Sequence, residues 1–236
     1  IDSHSYWNHP HFPGRPWDPK NWYVTNTALV NSPGGTLAGL AGSRVAGMAY
    51  TVSEYNHPAP MSYAAEGFPM IAAMGAFQGW DGIFSFTYAH TTNFEPRRME
   101  NFFDIKSETA KLVHMPACAA MFLRGDVAPA RQTVLVPLAP EAEREKLYET
   151  MSAWDLNARK LGIDTRISLQ HALAVDTGKA ASPTSPLPKL AEDANLFVSD
   201  TKELRWDASQ KGGAYYVVDT PRSKLFTGFV RGRTVP

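Results

Sequence analysis

The sequence predicts an α/β fold, with a parallel sheet in the first half of the chain and a β-rich unit after it. Two observations carry this. Through residue 90, short apolar segments ending in polar residues alternate with a helical pattern, in the order strand end, loop, helix, strand, helix, strand. From Leu196 to Val230 the chain breaks into short β-rich runs separated by turns, LFVSD, ELRWD, GGAYYVVD and LFTGFV, which reads as an antiparallel unit.

Each element has its own signal. Residues 1–24 hold four prolines and no periodicity, reading as a strand end and a long structured loop. Thr36 to Val45 has apolar residues at helical spacing. Gly47 to Ser53 is short, apolar and β-rich, a buried strand ending at Glu54. Pro58 and Pro60 mark a loop, and Tyr63 to Gln78 is an Ala/Met-rich helix with Pro69 as an expected kink. Gly82 to Tyr88 is the third strand. Ser107 to Leu123 reads as helix, Gln132 to Leu138 as strand, and Glu141 to Leu161 as a charged amphipathic helix on a surface. Residues 176–189, rich in Pro, Ser and Thr, read as loop. The expected units are 1–125 and 126–236, the second containing the 141–161 helix.

Composition excludes several classes. The 236 residues suffice for one large domain or two small ones. Lys plus Arg and Asp plus Glu are both 23, so the basic excess of a nucleic-acid binder is missing, as is a charge basis for membrane-surface binding. No apolar run approaches the roughly 18 residues of a membrane span. A single cysteine, Cys118, forbids an intrachain disulfide and reads as a buried structural residue in its Pro-Ala-Cys-Ala-Ala run. Neither a P-loop nor a Gly-x-Gly-x-x-Gly occurs, so nucleotide binding has no support, and a Gly-x-Ser-x-Gly elbow is missing too. No cofactor is expected. Asp2, His4 and the His9-Pro10-His11 run could form a metal cluster, but the surrounding Pro and Trp residues suit a rigid substrate loop better, and no metal is expected.

Three strand ends present polar groups: Asp2, His4 and Tyr6; then Ser53, Glu54, Tyr55 and Asn56; then Tyr88 and His90. In a parallel barrel such groups converge at the C-terminal ends of the strands. Aromatic residues crowd the first 90 positions, among them Trp7, Trp17, Trp22 and Trp80; flat rings suit the apolar faces of sugars, and they equally suit a core.

These motifs resemble the last three barrel strands of glycoside hydrolase clan A, most closely the family 5-like cellulases, mannanases and relatives. His4-Ser5-Tyr6 matches the His-x-Tyr pair of strand six. Val52-Ser53-Glu54-Tyr55-Asn56 matches the strand-seven end that carries the nucleophile. Trp80 to Tyr88 matches strand eight more loosely, with Ser85 standing at the usual tryptophan, so that Tyr88 or Trp80 would supply the aromatic platform. Val198-Ser199-Asp200, Arg205-Trp206-Asp207 and Val218 to Arg222 resemble a β-sandwich appended to some barrel glycosidases. The matches cover about residues 1–95 and 195–230.

The resemblance implies a partial (β/α)₈ TIM-type barrel followed by a β-rich, sandwich-like domain. It implies retaining hydrolysis of O-glycosidic bonds in a poly- or oligosaccharide, which needs two carboxyl groups about 5–5.5 Å apart. Glu54 would be the nucleophile, Tyr6 the donor that holds it ionised, and His4 a contact to a substrate hydroxyl or to the acid/base. Trp7, Asn56, Trp80, Tyr88 and His90 would bind substrate. The acid/base Glu of this family lies on strand four, which has no counterpart here. Glu66 reads as a helix residue with a surface or capping role, and Glu95 as a weak substitute. A three-strand piece would leave open edges, so the chain is expected to belong to a longer polypeptide that completes the barrel, or to form a homo-oligomer. An extracellular or periplasmic location follows by analogy with polysaccharide-degrading relatives. The rival reading is a non-catalytic carbohydrate-binding protein on a degenerate barrel.

Overall fold

A computed structural model describes residues 1–94, 99–178 and 184–232. Its first sheet is parallel, with strands β1 (Asp2–Tyr6), β2 (Thr51–Asn56) and β3 (Gly82–Ser85) adjacent in sequence order. The sheet is open, ending at β1 on one side and β3 on the other. Helix α1 (Gly35–Ala41) lies in the β1–β2 connection and α2 (Gly67–Gln78) in the β2–β3 connection, the crossover that parallel strands require.

Nearly every residue of α2 is buried, as befits a helix apolar on all sides. Pro69 falls in its first turn, where the missing N–H has no intrahelical acceptor to lose, so the proline opens the helix rather than kinking it. Gly79 ends it at φ 68°, a left-handed cap that glycine adopts without steric cost.

All four expected helices are shorter than their patterns, the later two most of all. The 107–123 segment divides into α3 (Thr109–Leu112) and α4 (Met115–Phe122), with Pro116 opening the second. The 141–161 segment forms α5 (Pro140–Thr150), an exposed helix that stops at Met151 in a left-handed conformation. Ser152 then caps a separate 3₁₀ turn by accepting the Trp154 N–H at 3.2 Å.

A second parallel pair joins β4 (Thr133–Pro137) to β5 (Ala172–Asp176), and Val45 bridges to Val175 beside it. Strands β6 (Leu196–Val198), β7 (Leu204–Asp207), β8 (Tyr215–Asp219) and β9 (Lys224–Gly228) form an antiparallel meander.

The two expected units share one apolar cluster. It runs from Leu29, Tyr55 and Phe77 to Phe197, Trp206 and Val218. The buried Trp206 indole donates to the Val30 carbonyl at 2.7 Å, tying the meander to the β1–β2 connection. Val134, Val136, Leu173 and Val175 form a smaller cluster with Ala158 and Ile167. No helix among the described residues is long and apolar enough to cross a membrane.

Candidate active site

Strands β1 and β2 build the site between them. Along β1 the pleat sends Asp2, His4 and Tyr6 to one face. On a regular strand Ser53 and Glu54 would point to opposite faces. The register, however, runs from Ser3 with Val52 directly to His4 with Glu54, so Ser53 is an extra residue on β2. A bulge of this kind re-aims side chains. Here both neighbours reach one imidazole: His4 Nε2 lies 2.9 Å from Ser53 Oγ, and His4 Nδ1 lies 3.5 Å from Glu54 Oε2.

Asp2 pins the bulge. Its Oδ1 accepts the Thr51 hydroxyl at 2.6 Å and the Ser53 N–H at 3.1 Å. Its Oδ2 accepts the Ser53 hydroxyl at 2.6 Å and lies 3.1 Å from His4 Nε2. Burial alone would raise this carboxyl, but the Ser53 and Thr51 donors outweigh it and hold Asp2 below its ordinary value. Because the Ser53 hydroxyl hydrogen goes to Asp2, the Ser53 oxygen is left to accept from His4 Nε2–H. That places the first imidazole proton on Nε2 and leaves Nδ1 facing Glu54.

The Tyr6 hydroxyl donates to Glu54 Oε2. Burial, and then the bond to Glu54 itself, raises the phenol above its ordinary value, so Tyr6 stays a donor across neutral pH. Phe103 packs against its ring at 4.4 Å between centroids, and Phe86 meets it edge-on at 6.1 Å. The site stays open: the Glu54 and His4 side chains are 30% and 39% exposed.

The other sequence-predicted residues divide. Trp7 follows directly on β1, donates to the Thr27 carbonyl at 2.8 Å and packs on the main core. Asn56 is fully buried; its amide donates to the Phe86 and Phe103 carbonyls at 2.7 and 2.8 Å and accepts Lys111 Nζ at 2.9 Å, so its side chain fastens the loops around the site rather than facing solvent. Trp80, only 5% exposed, is a core residue packed edge-on against Tyr50, with no free face for a platform. Tyr88 is exposed beside Phe94. Ser85 ends β3 opposite Tyr55. Glu95 lies outside the described residues.

His90 has a partner that sequence reasoning missed. Its Nδ1 lies 2.7 Å from Oδ1 of the buried Asp104, which also accepts the His90 backbone N–H at 3.0 Å. His90 meets Phe86 edge-on at 5.5 Å, and so adjoins the wall that backs Tyr6. Asp104 stands in a stretch without periodicity, fourteen residues along the chain, and nothing local in the sequence marks it.

Glu66 is buried and works away from the site. Its carboxylate accepts the N–H groups of Leu29 and Val30, capping a 3₁₀ turn at Leu29–Asn31. Burial pushes this carboxyl up to about 7, against the pull of those two donors. Cys118 packs on the main core, and burial pushes its thiol up to about 11. His9 Nδ1 sits 2.9 Å from the Pro10 carbonyl oxygen and His11 stacks on Tyr23; among the described residues no group of three His, Cys, Asp or Glu side chains is placed to hold a metal ion. No family model, curated protein or solved structure matches this chain.

Proposed function

We propose that this protein hydrolyses O-glycosidic bonds in a poly- or oligosaccharide by a retaining double displacement, with Glu54 as nucleophile, on the end of a TIM-type barrel. The observation that carries the reading is the convergence of Tyr6 and His4 on Glu54 at an open end of parallel strands. Glu54 would attack the anomeric carbon, displacing the leaving oxygen and forming a glycosyl ester, which water then cleaves. Tyr6 holds one carboxylate oxygen, which orients the other toward the sugar. His4, fixed by Asp2 and Ser53, presents Nδ1 as an acceptor for a substrate hydroxyl beside Glu54. His90, with Asp104 on its Nδ1, offers Nε2 at the far side of Phe86, and Tyr88 gives an exposed ring nearby.

Protonation of the leaving oxygen needs a second carboxyl group. Glu66 is committed to the Leu29–Val30 turn and does not supply it. The same observation favours a second reading, a carbohydrate-binding protein that uses the site without catalysis. Hydrolysis of aryl glycosides by the wild type and by Glu54→Ala separates the two. The nucleophile reading expects a loss of at least a thousandfold, with activity restored by azide as an external nucleophile. Unchanged hydrolysis by Glu54→Ala would end that reading, and oligosaccharide binding with no hydrolysis by the wild type would favour the second.

A further inference from the structure

The free edge of β1 carries the inference. The Ile1 amine donates to the Ala49 carbonyl at 2.8 Å, the Ile1 carbonyl accepts the Thr51 N–H at 2.9 Å, and the Trp7 N–H donates to the Asn56 carbonyl at 3.1 Å. Both residues thus turn their backbone groups toward β2. Strand alternation then sends the N–H and C=O groups of Asp2, His4 and Tyr6 to the opposite side. β1 ends the sheet there, so among the described residues no strand meets these six groups. Edge strands are commonly blunted by lysine, proline or a bulge. The sequence DSHSY has neither residue, and the extra residue of the bulge lies on β2.

A groove follows this edge. Two cavities of about 370 and 310 Å³ meet at Ser3, Ser43, Trp154 and Asn157, which line both. The first runs on to Trp7 and the second back to Ile1, so together they span the strand, and neither Tyr6 nor Glu54 lines them. On the inner side stand Gly39 of α1 and Ser43 just beyond it, small enough for another backbone to come close. The outer wall is a separate segment, with Leu156 toward the Ile1 end and Arg159 at the Trp7 end. Between them the Trp154 indole is 70% exposed. Arg159 reaches the Thr165 hydroxyl at 3.5 Å and forms no ion pair among the described residues. Asp164, which feels its charge, is bound to Arg166 at 2.6 Å.

We propose that this groove docks an extended segment of a partner protein, which adds to the sheet beside β1 as a fourth strand and sets an acidic side chain against Arg159. N–H and C=O groups repeating about every 6.5 Å are matched by the backbone of an extended polypeptide. The unpaired guanidinium selects the acid at the Trp7 end, and Trp154 and Leu156 select apolar side chains toward the Ile1 end. A second copy of this chain fits poorly, because its own β1 edge lies within the same walled groove. The inference does not depend on the glycosidase reading.

The test is calorimetric titration of the whole chain with two peptides. Acetyl-Val-Thr-Val-Thr-Val-Glu-amide suits parallel addition and acetyl-Glu-Val-Thr-Val-Thr-Val-amide antiparallel addition. One of them should bind, with the other about tenfold weaker or more. Only every second residue of an added strand turns its amide to β1. N-methylation of one alternate set of amides should therefore abolish binding, and N-methylation of the other set should leave it unchanged. Trp154→Ala should weaken binding about tenfold. Arg159→Glu should weaken it about tenfold and tighten binding of the same peptide with Lys in place of Glu, a gain that a misfolded variant could not give. Binding of neither peptide, equal losses from both N-methylated sets, or an Arg159→Glu variant that treats the Glu and Lys peptides alike would overturn the proposal. A dimer in sedimentation that Trp154→Ala and Arg159→Glu dissociate would overturn it in favour of a second copy. All of these readouts are of binding, so they leave the assignment of Glu54 to its own test.

Discussion

The Tyr6 hydroxyl donates to Glu54 Oε2 across the first two strands of the parallel sheet. A phenol raised above its ordinary value by burial cannot ionise at working pH, so it remains a donor to Glu54. Tyr6→Phe removes a hydrogen bond to a charged group, worth about 1.5–3 kcal/mol. The expected result is a fall in kcat of roughly 10- to 100-fold. An unchanged kcat in Tyr6→Phe would mean that Tyr6 acts only through packing.

Asp2 is expected to matter through the bulge. It binds Thr51, the Ser53 N–H and the Ser53 hydroxyl, and so keeps Ser53 and Glu54 on one side of His4. In Asp2→Ala the bulge loses its anchor and His4 loses its tautomer control. Activity should fall about tenfold or more while thermal stability falls by about 1 kcal/mol. Because the folded-state carboxyl is held below its ordinary value, the stability it contributes is present above pH 4 and is lost as pH falls through the folded pKa. Acid denaturation of Asp2→Asn should accordingly be less steep below pH 4 than that of the wild type.

Much of this site is legible in the sequence, and the reasons are local. His4 and Tyr6 share a face because strands alternate, and Glu54 ends an apolar run that reads as a buried strand. The bulge is not legible: Val52-Ser53-Glu54 carries no glycine or proline to announce an extra residue. Trp80 illustrates the ambiguity of aromatic residues, since an indole serves a core or a sugar equally well and only packing against Tyr50 decides. Asn56 reads as a strand-end ligand, yet its partners Phe86, Phe103 and Lys111 lie 30, 47 and 55 residues away. Strand β5 has the sequence ALAVD, whose two alanines give it little β character; its burial against β4 and the Val45 bridge makes it a strand. The 141–161 helix stops early because Ser152 offers the backbone a competing turn, which periodicity does not register.

Lys111 is the buried cation behind the site. Its ammonium binds Asn56 Oδ1 at 2.9 Å and the His57 carbonyl at 2.5 Å, and pairs with Glu108. Burial holds its pKa below the ordinary lysine value, with Glu108 opposing. Lys111→Met would strand Asn56 Oδ1, the His57 carbonyl and the Glu108 charge, and is expected to destabilise the fold by about 3–5 kcal/mol. Chemical denaturation of Lys111→Met and of Lys111→Met with Glu108→Gln checks this. The double variant should recover part of the loss, because it no longer buries an unpaired carboxylate.

Glu66 gives the clearest pH signature. Its folded pKa stands at about 7, above the 4.5 ordinary for a glutamate, because burial penalises the charge. Between those two values the folded state holds a proton that the unfolded chain has released. Stability is therefore greatest below about pH 4.5 as far as this group is concerned, falls as pH rises toward 7, and is level above it. The full span corresponds to about 3 kcal/mol. Glu66→Gln keeps an oxygen to accept the Leu29 N–H and carries no charge at any pH. Its denaturation midpoint should match the wild type near pH 4 and exceed it at pH 8. Equal midpoints at both values would mean that Glu66 is charged and satisfied throughout, its two backbone donors outweighing its burial.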